Sequence, residues 1–153
     1  MKNKSYVLDT SVIIEYIDED SPYRKNIEKL FKHIVNRSVE SYISSVTLSE
    51  ILYVATRIYK EAGSESPNED AKNFVLWLWR HPYINIVEAT PEISLEAGEI
   101  RKSIKISLIN CYVIATAKIL GISPLFLKPE KEMEKYKEKL KEYNIKFLIP
   151  SNF

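Results

Sequence analysis

Three carboxylates spread along the sequence could together bind a divalent metal ion: Asp9, Glu50 and Glu130. Carboxylate and amide oxygens are the ligands that Mg²⁺ and Mn²⁺ prefer. Ions held in this way can activate a water molecule and stabilise charge on a leaving oxygen, and hydrolysis of a phosphodiester needs both. Carboxylates brought together repel one another, so such a cluster requires a cation to offset their charge.

Asp9 lies where a binding residue is expected in a sheet of parallel strands. The apolar run of residues 6–8 predicts a short buried strand that ends just before Asp9. Ligands of open α/β sheets bind at the carboxyl ends of their strands. Ser11, two residues further on, is predicted to cap the helix that follows and to orient Asp9 or a metal-bound water.

Glu50 allows two interpretations. It lies near the start of a helix predicted from residue 47 onward, and this helix follows a predicted strand at residues 40–45. Glu50 therefore points towards the end of a strand. Thr47 and Glu50 also match a capping box, in which the glutamate only accepts a hydrogen bond from a backbone N–H. The local pattern favours neither interpretation over the other.

Glu130 and Asn110 each have a structural alternative as well. Glu130 follows the predicted strand of residues 124–127 and, taken alone, is typical of a first-turn glutamate that complements a helix dipole. Asn110 lies in the first turn of an apolar helix predicted over residues 108–120, where asparagine is common near the cap.

Strands that alternate with helices must bring these side chains together. Five strands are predicted at residues 6–8, 40–45, 84–87, 124–127 and 145–149. Helices are predicted at residues 12–17, 22–35, 47–62, 67–81, 91–100, 108–120 and 129–143. This alternation predicts an α/β fold with a mostly parallel five-stranded sheet covered by helices on both faces. We expect one domain that spans residues 1–153.

The composition limits the possible classes of protein. A length of 153 residues with 45% hydrophobic residues suits one globular domain. The net charge of +1 means that a nucleic-acid binder would have to concentrate its basic residues locally. The single cysteine, Cys111, excludes an internal disulfide and fits a reducing compartment. No apolar run reaches the roughly 18 residues of a membrane span or forms a signal peptide, so the sequence predicts a cytoplasmic protein.

The same positions carry a resemblance to the PIN domains of the VapC toxin type. The segment Val7-Leu8-Asp9-Thr10-Ser11 resembles the opening strand of that family and its first metal-binding aspartate. Ser49-Glu50 resembles the second acid, and the helix that begins Asn110-Cys111-Tyr112 resembles the segment of the third, which is normally aspartate. Leu127-Lys128-Pro129-Glu130 is similar to the region of the fourth, more variable acid. The resemblance covers nearly the whole chain.

The resemblance implies a PIN-like three-layer α/β/α fold and a metal-dependent endoribonuclease that uses Mg²⁺ or Mn²⁺. Asp9, Glu50, Asn110 and Glu130 are then the implied catalytic and metal-binding positions, with Ser11 beside them. The implied substrate is RNA. The implied partners are a second copy of the chain and a VapB-like antitoxin that neutralises the enzyme, with no role for a membrane.

Asn110 departs from the family pattern because it is neutral where an acid is normal. Its carbonyl oxygen can still reach a metal ion, but it supplies neither charge nor a base. Three interpretations follow: an engineered inactive variant, a natural PIN domain with weakened activity, or a non-catalytic member that binds RNA or protein. We favour an underlying nuclease in which Asn110 impairs metal binding.

Two functions from other classes remain as alternatives. A phosphotransfer enzyme of the haloacid-dehalogenase type also begins with a strand-end aspartate. It needs a second acid two residues later, where this chain has Ser11. The other alternative is a metal-free module that binds RNA or protein, and a metal titration separates it from the nuclease.

Overall fold

A five-stranded sheet forms the centre of the protein in a computed structural model that describes residues 4–151 and 153. Its strands are β1 (Lys4–Leu8), β2 (Val39–Ser44), β3 (Ile84–Val87), β4 (Ser123–Phe126) and β5 (Lys146–Phe147). They follow the order β3-β2-β1-β4-β5, and each neighbouring pair is parallel. The predicted α/β fold with a five-stranded parallel sheet is confirmed.

Helices connect the strands and cover the sheet. They are α1 (Thr10–Ile13), α2 (Arg24–Val35), α3 (Ser45–Glu61), α4 (Pro67–Arg80), α5 (Pro91–Ser103), α6 (Leu108–Leu120), α7 (Lys131–Glu134) and α8 (Lys137–Leu140). Short 3₁₀ turns at Ile14–Tyr16 and Lys141–Tyr143 extend the chain after α1 and α8. Among the described residues, no helix combines the length and the apolar character that crossing a membrane requires.

Two hydrophobic cores lie on opposite faces of the sheet. Successive strand residues point to opposite faces, so Val7 and Leu8 belong to different cores. The core that contains Leu8 packs against α2 and α4 through residues such as Phe31 and Leu78. The core that contains Val7 packs against α5 and α6, whose buried residues include Ile114. The result is the expected three-layer arrangement.

The central strand β1 marks the point at which the direction of the chain across the sheet reverses. It pairs with β2 on one side and with β4 on the other. Ligands of open α/β sheets bind in the crevice at such a switch point, beyond the carboxyl ends of the strands. Asp9 extends this end of the sheet, because its backbone N–H donates to the carbonyl of Leu125 over 2.9 Å.

The charged segment after β4 differs from the prediction of one helix over residues 129–143. It forms α7, then α8 and a 3₁₀ turn, with Tyr136 between the two short helices in a non-helical conformation. Met133 and Leu140 are buried in the core. The single-helix prediction was wrong because it rested on the helix propensity of Lys and Glu, and packing overrides such propensities.

Candidate active site

Asp9 is the most buried polar residue of the candidate site, with 1% of its surface exposed. It is the N-cap of α1, and its Oδ2 accepts a hydrogen bond from the backbone N–H of Ser11 over 3.0 Å. The prediction that Ser11 caps this helix was therefore wrong, because β1 ends one residue before Asp9 and the helix begins directly after it. The other oxygen, Oδ1, is buried and has no hydrogen-bond partner among the described residues.

Ser11 supports the site in another way. Its Oγ accepts a hydrogen bond from the backbone N–H of Leu127 over 3.1 Å. This bond joins the turn that carries Asp9 to the segment after β4, which leads to Glu130. Ser11 thus holds Asp9 with its backbone and the neighbouring segment with its side chain. An additional role in orienting a metal-bound water stays a prediction.

Glu50 is free of the capping role that the sequence allowed. The N-cap of α3 is Ser44, whose Oγ accepts from the backbone N–H of Val46 over 3.2 Å. Thr47 is buried within the helix, and its Oγ1 has no partner among the described residues. The capping-box interpretation was wrong because α3 begins immediately after β2, two residues before the sequence suggested. The Glu50 carboxylate instead accepts a hydrogen bond from the Tyr53 hydroxyl over 3.3 Å.

Asn110 turns its side chain towards the acids of the segment after β4. Ser107 caps α6 and accepts a hydrogen bond from the backbone N–H of Asn110 over 3.3 Å. The side-chain amide Nδ2 of Asn110 donates to Glu130 Oε2 over 2.6 Å and to Glu132 Oε1 over 2.8 Å. Asn110 is only 5% exposed. The side chain of Asn110 therefore contacts the acids of the site, and only its backbone N–H takes part in capping α6.

Glu132 was missed by the reasoning from sequence. It lies in α7, within a run of alternating Lys and Glu that was interpreted as a solvated helix face. Both of its carboxylate oxygens also accept from the backbone N–H of Ser107, over 3.1 and 3.2 Å. Its spacing of two residues from Glu130 was the available signal. That spacing indicates nothing unless the chain bends between the two residues and α6 approaches them.

The carboxylates affect one another's ionisation. Burial raises the pKa of Asp9 from 3.8 to about 6. The hydrogen bonds from Ser11 lower this pKa, and the charge of Glu50 raises it further. The pKa of Glu130 is raised from 4.5 to about 7. Burial is the largest cause, the charge of Asp9 is the second, and the charges of Glu132 and Glu50 contribute less. The hydrogen bond from Asn110 acts in the opposite direction. The negative charges of Asp9, Glu50 and Glu130 are therefore close enough to repel.

The donor set suits a hard divalent cation in its chemistry, although it does not form a closed cage. Among residues 4–151 and 153, no three side chains of His, Cys, Asp and Glu lie close enough together to hold a metal ion. Two observations nevertheless favour a cation here. Asp9 Oδ1 is an acceptor buried without a partner, and carboxylate oxygens are the ligands that Mg²⁺ and Mn²⁺ prefer. Glu50 and Glu130 would have to move closer to Asp9 before the three carboxylates could share one ion.

The architecture and the acidic cleft together define an α/β domain with a candidate metal site at the switch point of its sheet. The chain belongs to the PIN domain family, whose model matches residues 6–139. The match confirms the family resemblance seen in the sequence. A comparison with curated proteins found no match.

Solved structures show the same fold. One is VapBC2 from Rickettsia felis bound to a promoter DNA fragment, with 16% identity, a TM-score of 0.60, and coverage of 88% of this chain and 92% of the other. FitAcB from Neisseria gonorrhoeae has 15% identity, a TM-score of 0.65, and coverage of 97% and 99%. VapC20 from Mycobacterium tuberculosis, described as a toxin that cleaves the sarcin–ricin loop, has 12% identity, a TM-score of 0.63, and coverage of 78% and 86%. At these identities the likeness establishes a VapC-type fold.

Proposed function

We propose that residues 1–153 form one PIN domain that acts as a Mg²⁺- or Mn²⁺-dependent endoribonuclease, the toxin of a toxin–antitoxin pair. The enzyme acts in the cytoplasm as a homodimer, and a VapB-like antitoxin holds it inactive. The observation that supports this most is the buried Asp9 Oδ1, which has no partner among the described residues and belongs to a cluster of mutually repelling carboxylates. A divalent cation would satisfy this acceptor and offset the repulsion.

The residues of the cleft have separate roles in this proposal. Asp9, Glu50 and Glu130 hold the metal ion. When bound, the ion supplies an activated water and stabilises charge on the leaving oxygen. Asn110 fixes the orientation of Glu130 through its 2.6 Å hydrogen bond. The backbone of Ser11 fixes Asp9 in the same way.

The surface around the acids offers contacts for a single RNA strand. Tyr53 is 60% exposed and lies beside Glu50, to which its hydroxyl donates a hydrogen bond. An exposed aromatic ring is a stacking surface for an unpaired base. Lys128 and Lys131 are exposed on either side of Glu130 and can contact phosphates. These lysines are the local basic residues that a chain of nearly neutral charge needs to bind RNA.

Asp9→Asn is the direct test of this function. We expect the unaltered protein to cleave a mixed RNA pool in the presence of Mn²⁺ and to stop when a chelator is added. The Asp9→Asn variant should lose about 100-fold or more of this cleavage, since each decade corresponds to roughly 1.4 kcal/mol and the change removes a charged ligand. Asp20→Asn is the matched control, because Asp20 is exposed and lies in a turn outside the cleft.

The outcome also separates the nuclease from its alternative. Calorimetric titration with Mn²⁺ accompanies the cleavage assay. If neither cleavage nor Mn²⁺ binding is measured, while the protein still binds RNA or a protein partner, the non-catalytic PIN-like binding module replaces the nuclease. Cleavage that survives the chelator and Asp9→Asn points to a contaminating ribonuclease.

The proposed antitoxin must cover the acidic cleft to suppress cleavage. Two large apolar side chains near Glu50 on α3 are exposed, Leu52 at 41% and Tyr53 at 60%. Apolar and aromatic residues that a monomer leaves exposed are enriched at protein interfaces. They are therefore the surface on which we place an amphipathic segment of the antitoxin.

Purification of the tagged protein from its native host tests this partner. We expect a small protein to be recovered with the unaltered chain and to be reduced at least tenfold by Leu52→Glu, because a charge buried at the contact costs more than ~1.4 kcal/mol. Leu95→Glu should have no effect, because Leu95 is exposed on α5, on the other side of the sheet. Recovery of RNA without any such protein counts against the antitoxin.

A further inference from the structure

We propose that a cavity at the amino ends of β2 and β3 binds a guanine nucleotide. The cavity has a volume of about 440 Å³. Small-molecule sites typically have volumes of roughly 300–1,000 Å³. Its lining includes Arg37 and Tyr83, which come just before the two strands, whereas Asp9 follows the carboxyl end of β1. The cavity is therefore separate from the acidic cleft, and the inference does not depend on the proposed nuclease function.

Arg37 supplies the positive charge of the cavity and has an unusual backbone conformation. It follows the last turn of α2 with a φ of 65°, in the left-handed region where glycine or asparagine is usual. Its guanidinium carbon lies 5.0 Å from the centroid of the Tyr83 ring, and Arg37 forms no ion pair with any of the described residues. Because strained residues of this kind cluster at ligand sites, an arginine here indicates a use for its charge.

Glu40 and Asn85 give another side of the cavity acceptors for hydrogen bonds. Asn85 pairs with Tyr42 in the register of β2 and β3, and Glu40 lies two residues before Tyr42, so the three side chains share one face of the sheet. Asn85 Nδ2 donates to the carbonyl of Ser41 over 3.1 Å, which leaves Oδ1 to accept. Glu40 Oε2 accepts long hydrogen bonds from Ser5 Oγ, at 3.3 Å, and from the Tyr42 hydroxyl, at 3.5 Å. Glu40 Oε1 has no partner among the described residues.

These acceptors favour one base by their chemistry. Guanine presents two adjacent donors, N1–H and the N2 amino group, and a carboxylate can accept from both at once. Adenine and cytosine present an amino group beside a ring acceptor, which a carboxylate repels. Uracil presents a single N–H between two carbonyl groups. The rings of Tyr42 and Tyr83 line the cavity as stacking surfaces for the base, and the Arg37 guanidinium supplies the contact to the phosphate.

Calorimetric titration of the full chain with guanosine monophosphate is the primary test. A chelator is present, so that no metal ion takes part. We expect guanosine monophosphate to bind roughly tenfold or more tightly than adenosine monophosphate, as a two-bond contact to one base edge provides. Glu40→Gln should remove this preference, because its side-chain amide cannot accept from both donors. Glu65→Gln, at an exposed position before α4, is the matched control and should keep the preference.

Guanosine without a phosphate tests the role of Arg37. Arg37→Gly removes the guanidinium and suits the left-handed backbone, so the variant should stay folded in a thermal-unfolding measurement. It should weaken guanosine monophosphate roughly tenfold or more, and leave guanosine itself within about twofold, because only the nucleotide carries the anion. Arg57→Ala, at an exposed position of α3, is the control for lost charge. Should Arg37→Gly unfold, Arg37→Asn replaces it, since asparagine also tolerates this conformation.

Competition with short RNA strands distinguishes the source of the nucleotide. The competitors are a uridine hexamer and the same hexamer with one internal guanosine, both in a chelator. Displacement of guanosine monophosphate by the second strand alone identifies a guanosine within RNA as the ligand. Displacement by neither strand identifies the free nucleotide. Displacement by both strands overturns the selection of guanine.

Three further results would overturn the inference. They are no binding of guanosine monophosphate, equal affinity for adenosine monophosphate, and an affinity that neither Arg37→Gly nor Glu40→Gln changes. Each leaves the metal-dependent cleavage intact, because that activity is measured with Mn²⁺ and with a substitution of Asp9. Loss of cleavage and Mn²⁺ binding likewise leaves the nucleotide site intact, so the two proposals fail separately.

Discussion

Asn110→Asp is expected to raise the affinity for Mn²⁺ by about 10- to 100-fold and to make chelator-sensitive RNA cleavage appear or rise sharply. Opposite unit charges ~4 Å apart interact by roughly 4 kcal/mol at a surface-like dielectric. Desolvation and repulsion from the neighbouring carboxylates cancel much of this. A net gain of about 1–3 kcal/mol in binding free energy remains, and each ~1.4 kcal/mol corresponds to a tenfold change in affinity.

The same change should destabilise the metal-free protein. Asn110 Nδ2 donates to two carboxylates. An aspartate would put an oxygen in place of that nitrogen, and this oxygen would repel both carboxylates. The melting temperature in a chelator should fall, and Mn²⁺ should restore it. Asn73→Asp, at an exposed position of α4, controls for the added charge. An Asn110→Asp protein with unchanged metal affinity and no new cleavage would refute the nuclease interpretation of this position.

The metal-free protein is expected to lose stability as the pH rises from 5 to 8. Folding raises the pKa of Asp9 from 3.8 to about 6 and that of Glu130 from 4.5 to about 7, chiefly through burial. A carboxyl group with a raised pKa favours the folded state in acid, and this contribution disappears as the pH passes the folded-state pKa. After a discount for the partial exposure of Glu130, the free energy of unfolding should fall by about 2–3 kcal/mol.

Chemical denaturation in a chelator at several pH values measures this slope. Saturating Mn²⁺ should remove most of the loss at pH 8, because a ligand of the folded state stabilises it. Asp9→Asn should reduce the slope, since the substituted amide does not titrate. Asp20→Asn should leave it unchanged, because Asp20 lies in an exposed turn. A metal-free protein whose stability rises between pH 5 and 8 would contradict the raised pKa values of Asp9 and Glu130.

The sequence predicted the sheet well because its signals are local. Residues 84–87 and Leu108–Leu120 were predicted with the bounds that the structure shows, since turn residues or glycine flank both apolar patterns. Gly121, for example, ends α6 with a φ of 69°. The placement of the acids at strand ends or helix starts predicts that they share one end of the sheet, because parallel strands align their carboxyl ends.

The helix caps could not be predicted with the same success. Asp9 replaces Ser11 as a cap, and Ser44 replaces Thr47. In both cases the helix begins directly at the end of a strand, so a shift of two or three residues selects a different oxygen. Several Ser, Thr and Asp residues at each boundary satisfy the same pattern, and only the position of the neighbouring strand decides among them.

Glu132 shows a different limit of the sequence. Its role depends on the approach of α6 to α7 across more than 20 residues of chain, and on the break between α7 and α8. A continuous amphipathic helix was the simplest interpretation of the charges. Burial of Met133 and Leu140 determines the actual path. The spacing of the charged residues does not indicate that the chain breaks between α7 and α8.

The strand order has a consequence for how the protein reaches its native state. The central strand β1 pairs with β4, whose residues are synthesised more than a hundred positions later, and the backbone of Asp9 is bonded to Leu125. Pairings so distant in sequence form slowly, because the loop between them must be closed first. A nascent chain that has left the ribosome only as far as α5 lacks Asn110, Glu130 and Glu132. A growing chain of this topology therefore cannot complete the acidic cleft until its last third has emerged and docked.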